Sequence, residues 1–430
     1  MERADDRPGA RLAQWDPDLH DPSTGAPPEP VAAAAAEGPG DGDVAPARGA
    51  RYARSMPSTR APRSVRPGPA VASRRAAPVL ARHVRGEIVE SVHRGHIVQV
   101  DAIGKVIRTA GDPEVIVTLR SCVKPFALVT LLEAGGVREF DLSSAELAVM
   151  ASSHSGEDLH VRTLQAVFRR AGVSQTLLAC GSEGAPLDAL TAVRLARDGE
   201  KPGPVRHNCS GMHAAELLLA RLADWTLEDY WQPDHPVQVA TRAVVARAFA
   251  TTPERLTTAT DQCGVDTYAF PLRAVAAAYA LLADPDALPP GDARRSLSAP
   301  LRVIRDAMLA NPEQVGGTRD RLDTSLMRAL PGRLVSKGGA EALRGIAVLA
   351  DRTGGAPASA FAIKVEDGGG FARAGWSIAV ETLRLAGVLG AQSLRALGRY
   401  HRPVQLDPHG KIAAETIPAF DLVPVGELVG

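Results

Sequence analysis

Between residues 115 and 132 the chain has one place at which an extended run must become a helix. Val115-Ile116-Val117-Thr118 is β-branched and reads as a buried strand, and Phe126-Ala127-Leu128-Val129-Thr130-Leu131-Leu132 reads as an apolar helix. Pro125 fits only the first helical turn, because deeper in it would remove a backbone hydrogen bond and clash with the preceding turn. The helix therefore begins close to Ser121. Any fold of this chain brings a strand end, a serine and a helix N-terminus to one point.

The helix start sets the Ser121 hydroxyl where the dipole favours a negative oxygen, with Lys124 one turn on and on the same face. Ser-x-x-Lys in that setting is an acyl-transfer arrangement, in which a desolvated lysine takes the serine proton and the oxygen attacks a carbonyl. A serine that merely caps a helix is the plainer reading of the same residues. Composition bears on the choice. Of 49 basic residues only six are lysine (105, 124, 201, 337, 364 and 411). Arginine does not give up its proton in a protein, whereas a buried lysine does, so these few lysines mark where base chemistry could sit.

With 430 residues, 45% of them hydrophobic, the chain can bury a large core. Zero formal net charge argues against nucleic acid or an anionic membrane as partner. No apolar run is long enough to span a bilayer, and no secretory signal pattern opens the chain, so a cytoplasmic protein is expected. Cys122, Cys180, Cys209 and Cys263 are too few and too scattered for a disulfide framework. Residues 1–84, rich in Pro, Ala, Gly, Arg and Asp and nearly without aromatics, read as a disordered tail before one domain at 85–430.

Within that domain, 87–93 and 96–102 are β-rich and flank Arg94-Gly95, which predicts a hairpin, and a third strand at 114–119 completes an antiparallel sheet against which the serine helix packs. Ser143 and Glu146 form a capping box for the next helix, which runs into Ser152-Ser153-His154-Ser155-Gly156-Glu157. The 3.6 period then predicts helices at 157–171, 185–198, 212–224, 234–249, 268–284 and 292–309. Two polar interruptions, Arg206-His207-Asn208-Cys209-Ser210-Gly211-Met212-His213 and Thr260-Asp261-Gln262-Cys263-Gly264-Val265, hold cysteines beside polar groups, whereas Cys180 reads as core. Ser336-Lys337-Gly338-Gly339 precedes strands at 344–350 and 359–365, a final helix at 371–389 and a possible strand at 411–417. Glycines there let a ligand lie against the backbone, with Lys337 beside it.

Ser-x-x-Lys, a serine loop after the next helix and a late Lys-Gly-Gly repeat the order of elements in serine β-lactamases. The details, Arg-Ser-x-x-Lys-Pro (120–125), Ser-His-Ser-Gly-Glu (153–157), His-Asn-Cys-Ser-Gly-x-His (207–213), Asp-x-Cys-Gly (261–264) and Ser-Lys-x-Gly-Ala-Glu (336–341), resemble the L-asparaginase II family of serine–lysine type. That resemblance implies an α+β fold with a central antiparallel sheet flanked by helices, similar to the glutaminase and serine β-lactamase group. It also implies a homodimer that hydrolyses L-asparagine to L-aspartate and ammonia.

By the same resemblance Ser121 and Lys124 are nucleophile and base, and Ser153 and Lys337 a second pair that shares proton transfers or shapes the oxyanion site. The opposite assignment, with Ser153 as nucleophile, stays open. Cys209, His213, Asp261 and Cys263 would hold the amino-acid head group and the side wall. No cofactor is required, although some relatives bind zinc through the two cysteines and a lysine three residues after the first. Here that lysine is Met212, a weak ligand, which puts a zinc site on Cys209 and Cys263 in doubt. The rival readings are a β-lactam or other amide hydrolase with the same serine–lysine chemistry, and an amino-acid binder without turnover.

Overall fold

The computed structural model describes residues 76–351, 353–368 and 374–427. Its main sheet is antiparallel and runs β10 (Val404–Leu406), β11 (Ile412–Pro418), β1 (Val79–Arg85), β2 (Ile88–Asp101), β9 (Ser359–Val365), β8 (Leu343–Val348), β7 (Leu334–Gly339). β3 (Val106–Ala110) joins β2 and pairs in turn with β12 (Val423–Pro424). Helices pack on this sheet, so the fold is the expected α+β arrangement of an antiparallel sheet flanked by helices.

Strand β1 lies within the stretch read as tail, so the folded part begins before residue 85; residues 1–75 lie outside those described. Arg94-Gly95 is not a turn. The β1–β2 hairpin turns earlier, at Gly86-Glu87 just after Arg85, where Gly86 adopts φ +56°. β2 runs unbroken through residue 95, pairing with β1 up to Arg94 and with β9 from Gly95 onward. Gly95 is needed at that crossover because a Cβ would meet the Lys364 carbonyl at 2.2 Å.

The strand expected before the serine does exist, as β4 (Ile116–Thr118), but it belongs to a separate three-stranded sheet with β6 (Asp266–Pro271) and β5 (Thr257–Thr260). β6 also takes the first residues of the helix expected at 268–284, which starts at Leu272. Tyr268 and Phe270, alternating with smaller residues, fit a strand as well as a helix, and pairing with β4 decides it. The other helical expectations lie close to the observed Asp158–Ala171, Ala189–Arg197, Ser210–Leu222, Pro236–Ala248 and Ser298–Ala310. Ser143 and Glu146 make their capping box at the start of Ser144–Met150.

The helix Leu272–Ala283 is alanine-rich and lies across β9, β2 and β8. Its Tyr279 couples the sheet to the serine turn. The ring covers Gly345 of β8, and the hydroxyl donates to the Cys122 carbonyl at 3.0 Å. Phe126 of the serine helix meets the same ring edge-on at 5.5 Å. A Cβ at residue 345 would fall 2.1 Å from that ring, so Gly345→Ala should destabilise the protein by about 1–3 kcal/mol, read as a lower midpoint in urea unfolding. An unchanged midpoint would mean that Tyr279 does not set the spacing.

Candidate active site

Ser121 sits in a short 3₁₀ turn, Arg120–Val123, which passes directly into the helix Lys124–Ala127 with Pro125 in its first turn. In a 3₁₀ turn side chains three apart eclipse, so Ser121 and Lys124 share a face. The turn is entered through strain. Arg120 has φ +44°, a left-handed conformation that a long side chain rarely takes. Its N–H donates to Thr267 Oγ1 (3.0 Å), and its guanidinium is held on Asp261 Oδ1 at 2.9–3.0 Å. β7 closes the other side: a Cβ on Gly339 would lie 3.0 Å from both Cys122 Sγ and the Leu119 carbonyl.

Lys124, Lys337 and Ser153 meet in the interior. Lys337 is fully buried and Lys124 nearly so. Lys337 Nζ donates to Ser153 Oγ at 2.8 Å and to the Gly338 carbonyl at 2.6 Å. Lys124 Nζ donates to the Ser152 carbonyl (2.8 Å), the Asn208 carbonyl (3.3 Å) and Ser153 Oγ (3.4 Å). Lys124 is thus directed at the second serine. The Ser121 hydroxyl makes no hydrogen bond among the described residues, and Ser121 lines an open pocket of about 250 Å³. Burial, and after it the charge of Lys124, brings Lys337 down to about 7.

The loop that carries Ser153 is held from outside the pocket. Glu157 accepts from Ser155 Oγ (2.6 Å) and from the N–H and hydroxyl of Thr318 (2.8 and 2.5 Å). His154 accepts from the Gly156 N–H at Nδ1, so its proton lies on Nε2, which bonds Ser210 Oγ at 2.9 Å. Burial holds this imidazole neutral, well below the usual histidine range. Asp323 fixes the Lys337 strand by accepting from Ser336 Oγ (2.6 Å), Gly338 N (3.0 Å) and the buried Arg344. Burial alone would raise this carboxyl, but Arg344 and Lys337 outweigh it and hold Asp323 at about 2.

The pocket wall includes Ser121, Ser153, Cys209, Asp261 and Cys263 together with the Gly338–Glu341 backbone. His213 is elsewhere. It lines a chamber of about 20 Å³ behind the pocket, with Lys124, Met212, Glu216 and Tyr268. That volume admits one water-sized guest. The His213 Nδ1 bonds the Tyr230 hydroxyl at 2.7 Å, while His213 Nε2, Glu216 Oε2 and the Tyr268 hydroxyl are buried without partners among the described residues. Burial moves His213 down to about 4 and Glu216 up to about 8.

Cys209 and Cys263 border both spaces and share a hydrogen bond, so that one thiol yields its proton more readily than the other. Cys209, beside Lys124 and His207 as well, is the one held low. These residues do not fit zinc. Two thiols stand with the Met212 thioether, and among the described residues no three or more His, Cys, Asp or Glu side chains come together to hold a metal ion.

The L-asparaginase II family model matches residues 81–417. This chain belongs to the L-asparaginase II family. Membership places it with asparaginase-like amidohydrolases in general terms. No curated protein matches it in sequence. Among solved structures it is similar to the crystal structure of Mglu, at 15% identity and a TM-score of 0.30 over 72% of this chain and 67% of that one. It is also similar to Mglu in its native form, at 14% identity and a TM-score of 0.33 over 70% and 66%. These likenesses are distant, and the fold class rests on the sheet and helices themselves. Among the described residues no helix is long and apolar enough to cross a membrane.

Sequence reasoning gave no role to Asn208 or Glu341, though both stand in its motifs, and did not single out Arg321 or Asp323; all four line the pocket of this L-asparaginase II family member. Arg321 and Asp323 stand at the start of the helix Leu322–Ala329, and only the tertiary fold brings that helix to β7. The scarcity of lysine makes the lysine chemistry directly measurable. In protein labelled with ¹³C at lysine Cε, one signal should titrate near pH 7 and vanish in Lys337→Met. Six signals that all titrate near 10 would contradict the placement of Lys337 in a buried space shared with Lys124.

Proposed function

We propose that this protein hydrolyses the side-chain amide of L-asparagine to L-aspartate and ammonia through an acyl-enzyme on Ser121. The observation that carries the reading is a serine hydroxyl, Ser153 Oγ, within reach of two buried lysine amines on the wall of a pocket that Ser121 also lines. Lys337, brought down to about 7, is the amine free to accept a proton near neutral pH. Ser121 attacks the amide carbonyl and its proton enters the Ser153–Lys124–Lys337 network. The same network returns the proton to the departing nitrogen, so ammonia leaves. Water then repeats the attack on the ester, losing its proton into the network, and frees aspartate and Ser121.

Oxyanion stabilisation follows from the backbone. The N–H of Ser121, in the first residues of the turn, has no partner inside that turn, and the Gly339–Ala340 backbone lines the same pocket. Cys209 and Cys263 form the side wall, and Asp261, already steadied by Arg120, is the acid available to the substrate ammonium. The short Lys337–Ser153 bond favours a second reading, in which Ser153 is the nucleophile and Ser121 relays the proton.

Ammonia release from asparagine, glutamine and a chromogenic β-lactam tests the substrate. Asparagine should be turned over, and Ser121→Ala should lower the rate by about 10³-fold or more. Ser153→Ala should lower it by about 10²–10³-fold while leaving slow acylation. Near-full turnover by Ser121→Ala would give the nucleophile to Ser153. A thermal shift with asparagine but no ammonia would replace the enzyme with a binding protein.

A further inference from the structure

Most of the cationic side chains around the pocket are committed to partners, and Arg321 is the least engaged of them. Arg120 is held on Asp261, and Arg344 and Asp323 close on each other behind β7. Lys124 and Lys337 are committed to Ser153 and to backbone carbonyls. Arg321 lines the pocket beside Ser153 and donates through Nη2 to the Ser153 carbonyl at 2.5 Å. Its side chain makes no other hydrogen bond and no ion pair among the described residues. Asp323, two residues on, is already saturated by Ser336, Gly338 and Arg344.

No nitrogen of Arg321 is among the sealed polar atoms that lack a partner. Its remaining N–H groups are therefore not sealed off in the interior, and the residue lines the pocket. An uncompensated guanidinium away from bulk water is costly, and a carboxylate, which it can grip with two parallel hydrogen bonds, relieves that cost. Because the same group is tied to the Ser153 backbone, an anion bound there is held at a fixed distance from the reacting serines.

We infer that Arg321 receives the α-carboxylate of the substrate. The pocket then takes the amide of a free amino acid and rejects an asparagine inside a peptide, which has no such carboxylate. The inference rests on the amide-hydrolase reading for the reaction, but its binding claim stands apart from turnover.

Two pairs of compounds test it, each differing by the α-carboxylate: L-asparagine against 3-aminopropanamide as substrates, and L-aspartate against 3-aminopropanoate as ligands in calorimetry. In the wild type, kcat/KM should favour asparagine. Arg321→Ala should reduce that preference by about 30-fold or more, mainly through KM. Arg321→Gln keeps a donor for the Ser153 carbonyl without the charge, and should show the same loss if the alanine protein folds poorly. Equal losses on both substrates would overturn the inference and leave Arg321 a positioning residue for the Ser153 loop. If neither amide is hydrolysed, the function fails but the site is still decided: aspartate should bind the wild type more tightly than 3-aminopropanoate, and Arg321→Gln should erase the difference. A difference that persists in the variant, or no preference in the wild type, overturns it.

Discussion

Two lysine amines converge on one serine hydroxyl inside the protein, and the rest of the site is arranged around that. Burial, and after it the charge of Lys124, lowers Lys337 until its proton can be given up near neutral pH. Among the described residues no carboxylate forms an ion pair with either amine. Asp323, on the helix Leu322–Ala329, acts on Lys337 only through space, its hydrogen bonds being taken by Arg344, Ser336 and Gly338. A free amine at neutral pH follows from geometry, at Lys337.

Holding that geometry takes three separate devices. Tyr279 sets the distance between β8 and the serine turn, since its ring occupies the space over Gly345 and its hydroxyl fixes the Cys122 carbonyl. The left-handed Arg120, clamped by Thr267 and Asp261, aims Ser121 at the open pocket. Glu157 and Thr318 anchor the Ser153 loop from the far side. Each device lies on a different segment of the chain, which is why the motifs are scattered from residue 120 to residue 341.

Much of this was legible in the sequence wherever the signal was local. Pro125 marked the helix start, Ser143 and Glu146 marked the next helix, and the rarity of lysine pointed to positions 124 and 337. What depended on pairing partners was not legible. Arg94-Gly95 has the composition of a hairpin turn, yet β2 continues through it because β9 is there to take over from β1. Tyr268 and Phe270 fit a helical period until β4 pairs with them. The same limit applies to the site. Lys124 shares a face with Ser121, as spacing required, but its amine goes to Ser153, and His213 lines the rear chamber with its neighbours on the helix Ser210–Leu222. Arg321 carried no local sign at all.

The departure at Met212 fits this picture. Met212 lies with Glu216 and His213 along a buried chamber that Cys209 and Cys263 also border, and among the described residues no three or more His, Cys, Asp or Glu side chains come together to hold a metal ion. The catalytic proposal rests on the serine–lysine cluster. The most direct measurement is rapid quenching of the protein with L-asparagine, followed by peptide mapping in a mass spectrometer. An aspartyl ester on the peptide that carries Ser121, formed and lost at the rate of turnover, is the expected result; an ester on the Ser153 peptide, or turnover with no ester at all, would contradict it.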